Sequence, residues 1–182
     1  GNSPEPANPK LAGLQPEYIA KQLKDYKAGK RQSDVMTPIV ANMNLSNEEI
    51  DALAAYFSKQ KPAAGTVRDK ALLDLGRKIY ADGNEQNGVP ACAGCHSADG
   101  TGTARFPRLA GQHQDYTIQQ LKLFAASKRE NDRGLVMQSV ALRMSEQEIK
   151  DAYPQLTDLD IKAALGYAAD VVYDDIIVPL PA

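Results

Sequence analysis

Apolar residues recur along this chain at helical spacing, and nowhere convincingly at the alternating spacing of a half-buried strand. Ile19, Leu23 and Tyr26 follow Pro16, a residue suited to a helix's first turn, and predict a helix there. Ile50, Leu53, Ala54 and Phe57 form an inward face behind Ser46 and Glu49, which stand three apart as a capping box. Ser145 and Glu148 repeat that signal, and Thr157 is placed to cap a final helix. VRDKALLDLGRKIYADG (67–83) adds a helical pattern with apolar Leu72, Leu75 and Ile79. The best candidate strand, DVVYDDIIVPLPA (170–182), carries two prolines and three aspartates and reads as an irregular tail. The expected fold class is all-α, with long loops.

The helical pattern repeats. PKLAGLQPEYIAKQLKDYKAGKR (9–31) and PRLAGQHQDYTIQQLKLFAASKR (107–129) agree at 11 of 23 positions, at a constant offset of 98. VMTPIVANM (35–43) corresponds to VMQSVALRM (136–144), each with methionines seven apart. LSNEEIDALAAYF (45–57) corresponds to LTDLDIKAALGYA (156–168), with Tyr56 over Tyr167 and extra residues ahead of the second copy. KPAAGT (61–66) has the composition of a linker. The chain divides as 1–62 and 63–182.

Charge excludes one class of partner. The net charge of −2 offers no basic face to phosphates, so nucleic acid is not expected. Residues 1–64 hold 8 basic and 7 acidic side chains and residues 65–182 hold 13 and 16, an imbalance that ordinary solubility explains. No apolar run approaches the roughly 18 residues of a membrane span. No secretory leader is present within these residues.

Chemistry concentrates in one pentad. The chain has two cysteines and two histidines, and three of these four lie in Cys92-Ala93-Gly94-Cys95-His96. Two thiols one helical turn apart can reach the two vinyl groups on one porphyrin edge, and the adjoining histidine can then present its ring to iron. Small residues between the thiols leave room for the macrocycle. The alternatives are a structural zinc site and a redox disulfide. Zinc usually takes four protein ligands, and only His113 and carboxylates remain to complete a set. A redox CxxC expects a βαβ setting, which the helical pattern does not provide.

The pentad, SADGTG after it, FPRLAGQ, the Tyr-x3-Gln-Leu helix, the methionine loop and the closing helix together resemble a dihaem class I cytochrome c of the cytochrome c4 type. The resemblance covers residues 1 to about 170. It implies two tandem class I cytochrome c domains, the first incomplete at its N-terminus. It also implies haem c that shuttles single electrons in the periplasm, commonly toward a terminal oxidase. Pro9 aligned with Pro107 sets Gly1 near Gly100, just past the place of a first pentad. Three explanations stay open: an upstream segment carrying that pentad, another chain supplying it, or a first domain without haem. The first is the expectation, and Met36 then ligates a second haem.

The second iron ligand has three candidates, Met137, Met144 and His113. Met137 follows the repeated Lys-Arg, aligns with Met36, and is the expected axial sulfur; a methionine–histidine pair raises the potential of haem iron. Met144 and Met43 stand seven residues on, ahead of the capping serines, where core-filling methionines are usual. His113 replaces Gln15 of the first repeat and reads as a surface residue near a helix start. The resemblance sets Pro107 beside the histidine and lets Arg108 and its counterpart Lys10 approach a propionate. A solvated charge is the plain alternative for both. Tyr116 and Tyr18 can bond a propionate, line the domain interface, or simply pack. Gly76 and Tyr80 look like the opening-helix pair of class I cytochromes.

Three functions compete. A free electron carrier between redox proteins, such as a quinol-oxidising complex and a membrane-bound oxidase, leads. A dedicated cytochrome subunit of a larger dehydrogenase or oxidase draws on the apolar tail at 171–182. A haem enzyme needs an open iron site, against which two aligned methionine loops argue.

Overall fold

A computed structural model describes residues 1–65 and 73–151. Its elements are α1 (Pro16–Lys27), α2 (Met36–Met43), α3 (Asn47–Ser58), α4 (Leu73–Asp82), α5 (Ala93–His96), α6 (Gln114–Ala125), α7 (Val136–Ala141) and α8 (Glu146–Asp151). A short 3-10 turn, Arg133–Leu135, precedes α7. Among the described residues there is no strand beyond an isolated bridge between Asn84 and Val89. The fold is all-α, as expected. Thr157, Tyr167, Leu72 and the tail at 171–182 lie outside the described residues.

Local chemistry explains several helix ends. Pro16 opens α1, Glu17 sits in its first turn, and Lys24 and Lys27 sit in its last, each complementing the helix dipole. The expected capping boxes both form. Glu49 N–H donates to Ser46 Oγ at 3.1 Å while Ser46 N–H donates to Glu49 Oε2 at 2.8 Å. The Ser145–Glu148 pair does the same at 3.1 and 2.7 Å.

Each half has its own core. In the first, α1 packs on α2 and α3 around Leu14, Ile19 and Ala54, with Leu11, Tyr18, Leu23 and Phe57 against them. In the second, Ile79 of α4, Leu121 and Phe124 of α6, Ala141, Met144 and Ile149 are buried together with Val89. The buried face of α4 runs through Gly76, Ile79 and Tyr80, while Leu75 is 44% exposed. One expectation needs correction. Met43 is 54% exposed, because α2 ends at a left-handed Asn44 and Leu45 takes the buried seat. Its counterpart Met144 does fill core, at 8% exposure.

The halves meet through side chains placed by the repeat. Gln15 Nε2 donates to the Thr101 carbonyl at 2.7 Å, and His113 Nε2 lies 2.8 Å from the Ser3 carbonyl. Both pairs are related by the offset of 98, so His113 is a half-buried interface residue, not a surface one. Sequence position alone gave no hint that a partner would cover it.

Candidate haem site

α5 is a single turn that Cys92 opens, with His96 N–H donating to the Cys92 carbonyl at 2.9 Å. That turn sets the two thiols on one side and the imidazole at its end. Both cysteines are half-buried and unbridged. Burial pushes the Cys92 thiol up to about 11, far from a reactive thiolate. These features do not suit a redox disulfide. Nor do they suit zinc, since no group of three His, Cys, Asp or Glu side chains able to hold a metal ion occurs among the described residues.

The loop after α5 exists to orient one ring. Tyr80 Oη donates to the Ser97 carbonyl at 2.6 Å, tying α4 to the residue after the histidine. Gly102 N–H then returns to the His96 carbonyl at 2.9 Å, and Ser97 Oγ donates to the Gly102 carbonyl at 2.9 Å. Gly102 has φ +77°, and a Cβ there would lie 2.6 Å from Arg108 N and Phe106 O. Only glycine permits this approach. The close passage brings the Pro107 carbonyl to 2.8 Å from His96 Nδ1. Phe106 meets the imidazole edge-on, its centroid 5.7 Å away.

His96 is 5% exposed, and burial lowers its pKa, which favours the neutral ring. With Nδ1 donating its proton to Pro107, the lone pair resides on Nε2. That nitrogen is buried and has no hydrogen-bond partner. A buried acceptor left so is costly unless something outside the polypeptide satisfies it. An iron atom suits it: neutral imidazole, fixed tautomer, a carbonyl behind, and two thiols beside. These residues therefore fit covalently held haem.

The remaining expected residues fall in two places. Met137 lies in the first turn of α7, half-buried against the second core, and Met36, its counterpart in the repeat, lies in the first turn of α2. Lys10 and Arg108 line one crevice between the halves with Asn2, Pro62 and Gln112, and burial lowers the Lys10 pKa. Tyr116 is at the interface, where its hydroxyl accepts from Arg31 at 3.0 Å. Sequence reasoning missed Arg31, Arg129, Gln22 and Gln120, which meet there. Their identity at the offset of 98 was the available signal. It missed Asp132 altogether, for which the sequence held no signal.

Comparison with known proteins agrees with this geometry. Residues 73–168 match the family described as cytochrome c. Cytochrome c4 of Thiocapsa roseopersicina is 47% identical over 82% of this chain and 77% of its own. A protein of Stutzerimonas stutzeri named thiosulfate dehydrogenase electron acceptor is 37% identical over 78% of this chain and 66% of its own. The crystal structure of reduced recombinant cytochrome c4 from Pseudomonas stutzeri superposes with a TM-score of 0.80, at 39% identity and 87% coverage of both chains. A pentad that could hold haem, an orphaned imidazole nitrogen and a duplicated helical fold thus converge with these likenesses, and the chain belongs to the cytochrome c4 family of class I electron-transfer cytochromes.

Proposed function

We propose that this chain is a periplasmic one-electron carrier in which Cys92 and Cys95 hold haem c through thioethers, and His96 and Met137 are its axial ligands. The observation that carries the reading is the buried His96 Nε2, without a partner in the polypeptide and with its tautomer fixed by Pro107. When bound, haem c supplies an iron that gains and loses one electron. The polypeptide's part is to keep the ligand set unchanged during that exchange, so that little rearrangement accompanies it. Tyr80, Gly102 and Pro107 hold the histidine, and the α7 turn holds the methionine. With His96 and Met137 both holding the iron, no coordination place would remain for a substrate, which would set a carrier apart from a haem enzyme.

The reading extends to the first half. Met36, like Met137 in α7, lies in the first turn of its helix α2 and is its counterpart in the repeat, which supports a second haem with Met36 as its sulfur ligand. Val35, Ile39 and Met43 stand exposed around it, an apolar surface that a macrocycle would cover. The boundary between haem domains falls at 62/63, inside a stretch without regular structure. Lys10 and Arg108, which line one crevice, supply cations toward propionates. Tyr116, bonded to Arg31, is the further candidate at the interface. Among the described residues no helix is long and apolar enough to cross a membrane. On this reading donor and acceptor are separate redox proteins, among them a quinol-oxidising complex and a membrane-bound oxidase.

A second reading draws on the Stutzerimonas stutzeri relative, whose name makes it the electron acceptor of thiosulfate dehydrogenase. On this reading the chain is the dedicated acceptor of a dehydrogenase. A pyridine haemochrome assay per polypeptide, joined to a potentiometric titration and a near-infrared spectrum, tests the first reading. It predicts covalent haem, one-electron waves and a sulfur-to-iron charge-transfer band. Rapid carbon monoxide binding to the reduced protein would refute six-coordination. A stoichiometric dehydrogenase that co-purifies, and is lost on deletion of 171–182, would favour the second reading.

A further inference from the structure

The turn before α7 is held by one side chain from its far end. Asp132 Oδ2 accepts from the backbone N–H of Met137 at 2.7 Å and of Gln138 at 3.2 Å. Between them the chain passes through Gly134 at φ +69° and Leu135 at φ +56°. The left-handed region is unfavourable for a leucine, so this turn persists only where something outside it supplies the restraint. Asp132 is such a restraint, and Gln138, buried, adds a bond from its Nε2 to the Arg129 carbonyl at 3.2 Å.

The first half solves the same problem with different atoms. Ser33 Oγ accepts from Met36 N–H at 3.1 Å and from Val35 N–H at 3.3 Å. Serine reaches over three residues and aspartate over five, because the second copy has a longer loop between its Lys-Arg and its methionine. The two turns share neither sequence nor length. What they share is a side-chain oxygen on the amide of the aligned methionine.

We propose that Asp132 is the positioning residue for the Met137 sulfur, pinning the amide at 137 so that the thioether keeps one direction. This rests on the reading of Met137 as axial ligand. A thioether is a neutral ligand, and its hold depends on how often the loop that bears it opens. Loss of a capping oxygen shifts such a local equilibrium by about tenfold.

The test uses the oxidised haem-loaded protein and cyanide, which enters only when the sulfur leaves. D132A should bind cyanide with an apparent dissociation constant about tenfold lower than wild type and show a weakened sulfur-to-iron band. D132N, equal in length and keeping one acceptor oxygen, should restore both. If D132A does not fold, D132E serves in its place; it moves the oxygens by one methylene and should bind cyanide more tightly than D132N. Wild-type cyanide affinity with an intact band in D132A, or equal weakening in D132A and D132N, overturns the proposal. Failure of the underlying reading looks different: M137A would keep the sulfur band and M144A would lose it, whatever Asp132 does.

Discussion

Arg31 of the first half donates to the hydroxyl of Tyr116 in the second at 3.0 Å, and Arg129 returns the same bond to Tyr18 at 3.0 Å. The likeness extends to the rest of each guanidinium. Arg31 bonds Gln22 at 2.7 Å and Gln120 at 2.9 Å; Arg129 bonds Gln120 at 2.7 Å and Gln22 at 3.3 Å. Each is stacked on an aromatic ring of its own half, Tyr26 at 4.9 Å and Phe124 at 4.4 Å. Every residue in this list has its counterpart at the offset of 98. The repeat thus builds an interface with an approximate two-fold axis, as a duplicated surface meeting itself would.

Two arginines at 7% exposure have lost most of their hydration, and the ion pairs among the described residues, Lys21–Asp25 and Lys24–Asp51, include neither. Neutral oxygens must therefore carry the compensation. Y18F and Y116F each remove one of these oxygens and should cost about 1–3 kcal/mol. The near symmetry makes the two losses comparable. Denaturant unfolding of both variants checks this, and a silent Y116F beside a costly Y18F would break the symmetry argument.

Met137 and Met144 should separate cleanly by substitution. M137A removes the proposed axial sulfur and should abolish the sulfur-to-iron band with only a modest loss of stability. M144A vacates a core seat among Ile79, Leu121 and Phe124 and should cost about 2–5 kcal/mol while the band survives. Spectra and thermal melts on the two variants decide between the sulfurs.

Tyr80 predicts a pH effect. Burial, before any other cause, holds its hydroxyl well above the ordinary tyrosine value of 10.0. The folded chain therefore keeps this proton more tightly than the unfolded chain. The stabilisation is complete below pH 10.0 and is lost as pH rises through the folded value. Y80F should cost about 1–3 kcal/mol at neutral pH, by leaving the Ser97 carbonyl without its donor. That deficit relative to wild type should shrink above about pH 10. A constant deficit in denaturant unfolding from neutral to alkaline pH would count against the bond.

The sequence announced what is local or duplicated. The pentad, the capping boxes at Ser46 and Ser145 and the proline start of α1 depend on residues within one or two turns, so their spacing is their signal. Met144 was readable as core from its place before a helix cap, yet the same argument failed for Met43. There the outcome turned on the left-handed Asn44 and on which neighbour, Leu45, reached the core first. A helical pattern alone does not say which stripe is buried: Leu72, Leu75 and Ile79 form one, Gly76, Ile79 and Tyr80 another, a small rotation apart, and it is the second that α4 buries. His113, Arg31 and Arg129 owe their burial to the other half of the molecule, information that no window of sequence contains. The pairing of the two arginines was still encoded, in the identity of the two copies at 31 and 129.

Gly102 offers the sharpest check on how the histidine is held. Its φ of +77° and the 2.6 Å approach of a Cβ to Arg108 N and Phe106 O leave no room for an alanine methyl. The obstructing atoms are backbone and cannot swing aside, so G102A must displace the segment from Phe106 to Arg108. That segment carries the Pro107 carbonyl, the partner of His96 Nδ1. Strain of this kind costs about 1–3 kcal/mol. The consequence should extend beyond stability: with the carbonyl drawn back, the imidazole loses the bond that orients it, and a donor bond of that type strengthens the ring as a ligand. G102A should therefore melt at lower temperature and also show a shifted reduction potential for the haem at Cys92–His96. Gly29 of the first half is the control, since it too has positive φ (+69°) but a Cβ there would meet only the flexible end of Gln32, at 3.8 Å. G29A should show backbone strain with the potential of the haem at Cys92–His96 unmoved. Equal potentials in wild type and G102A would mean that the Pro107 carbonyl does not tune the ligand.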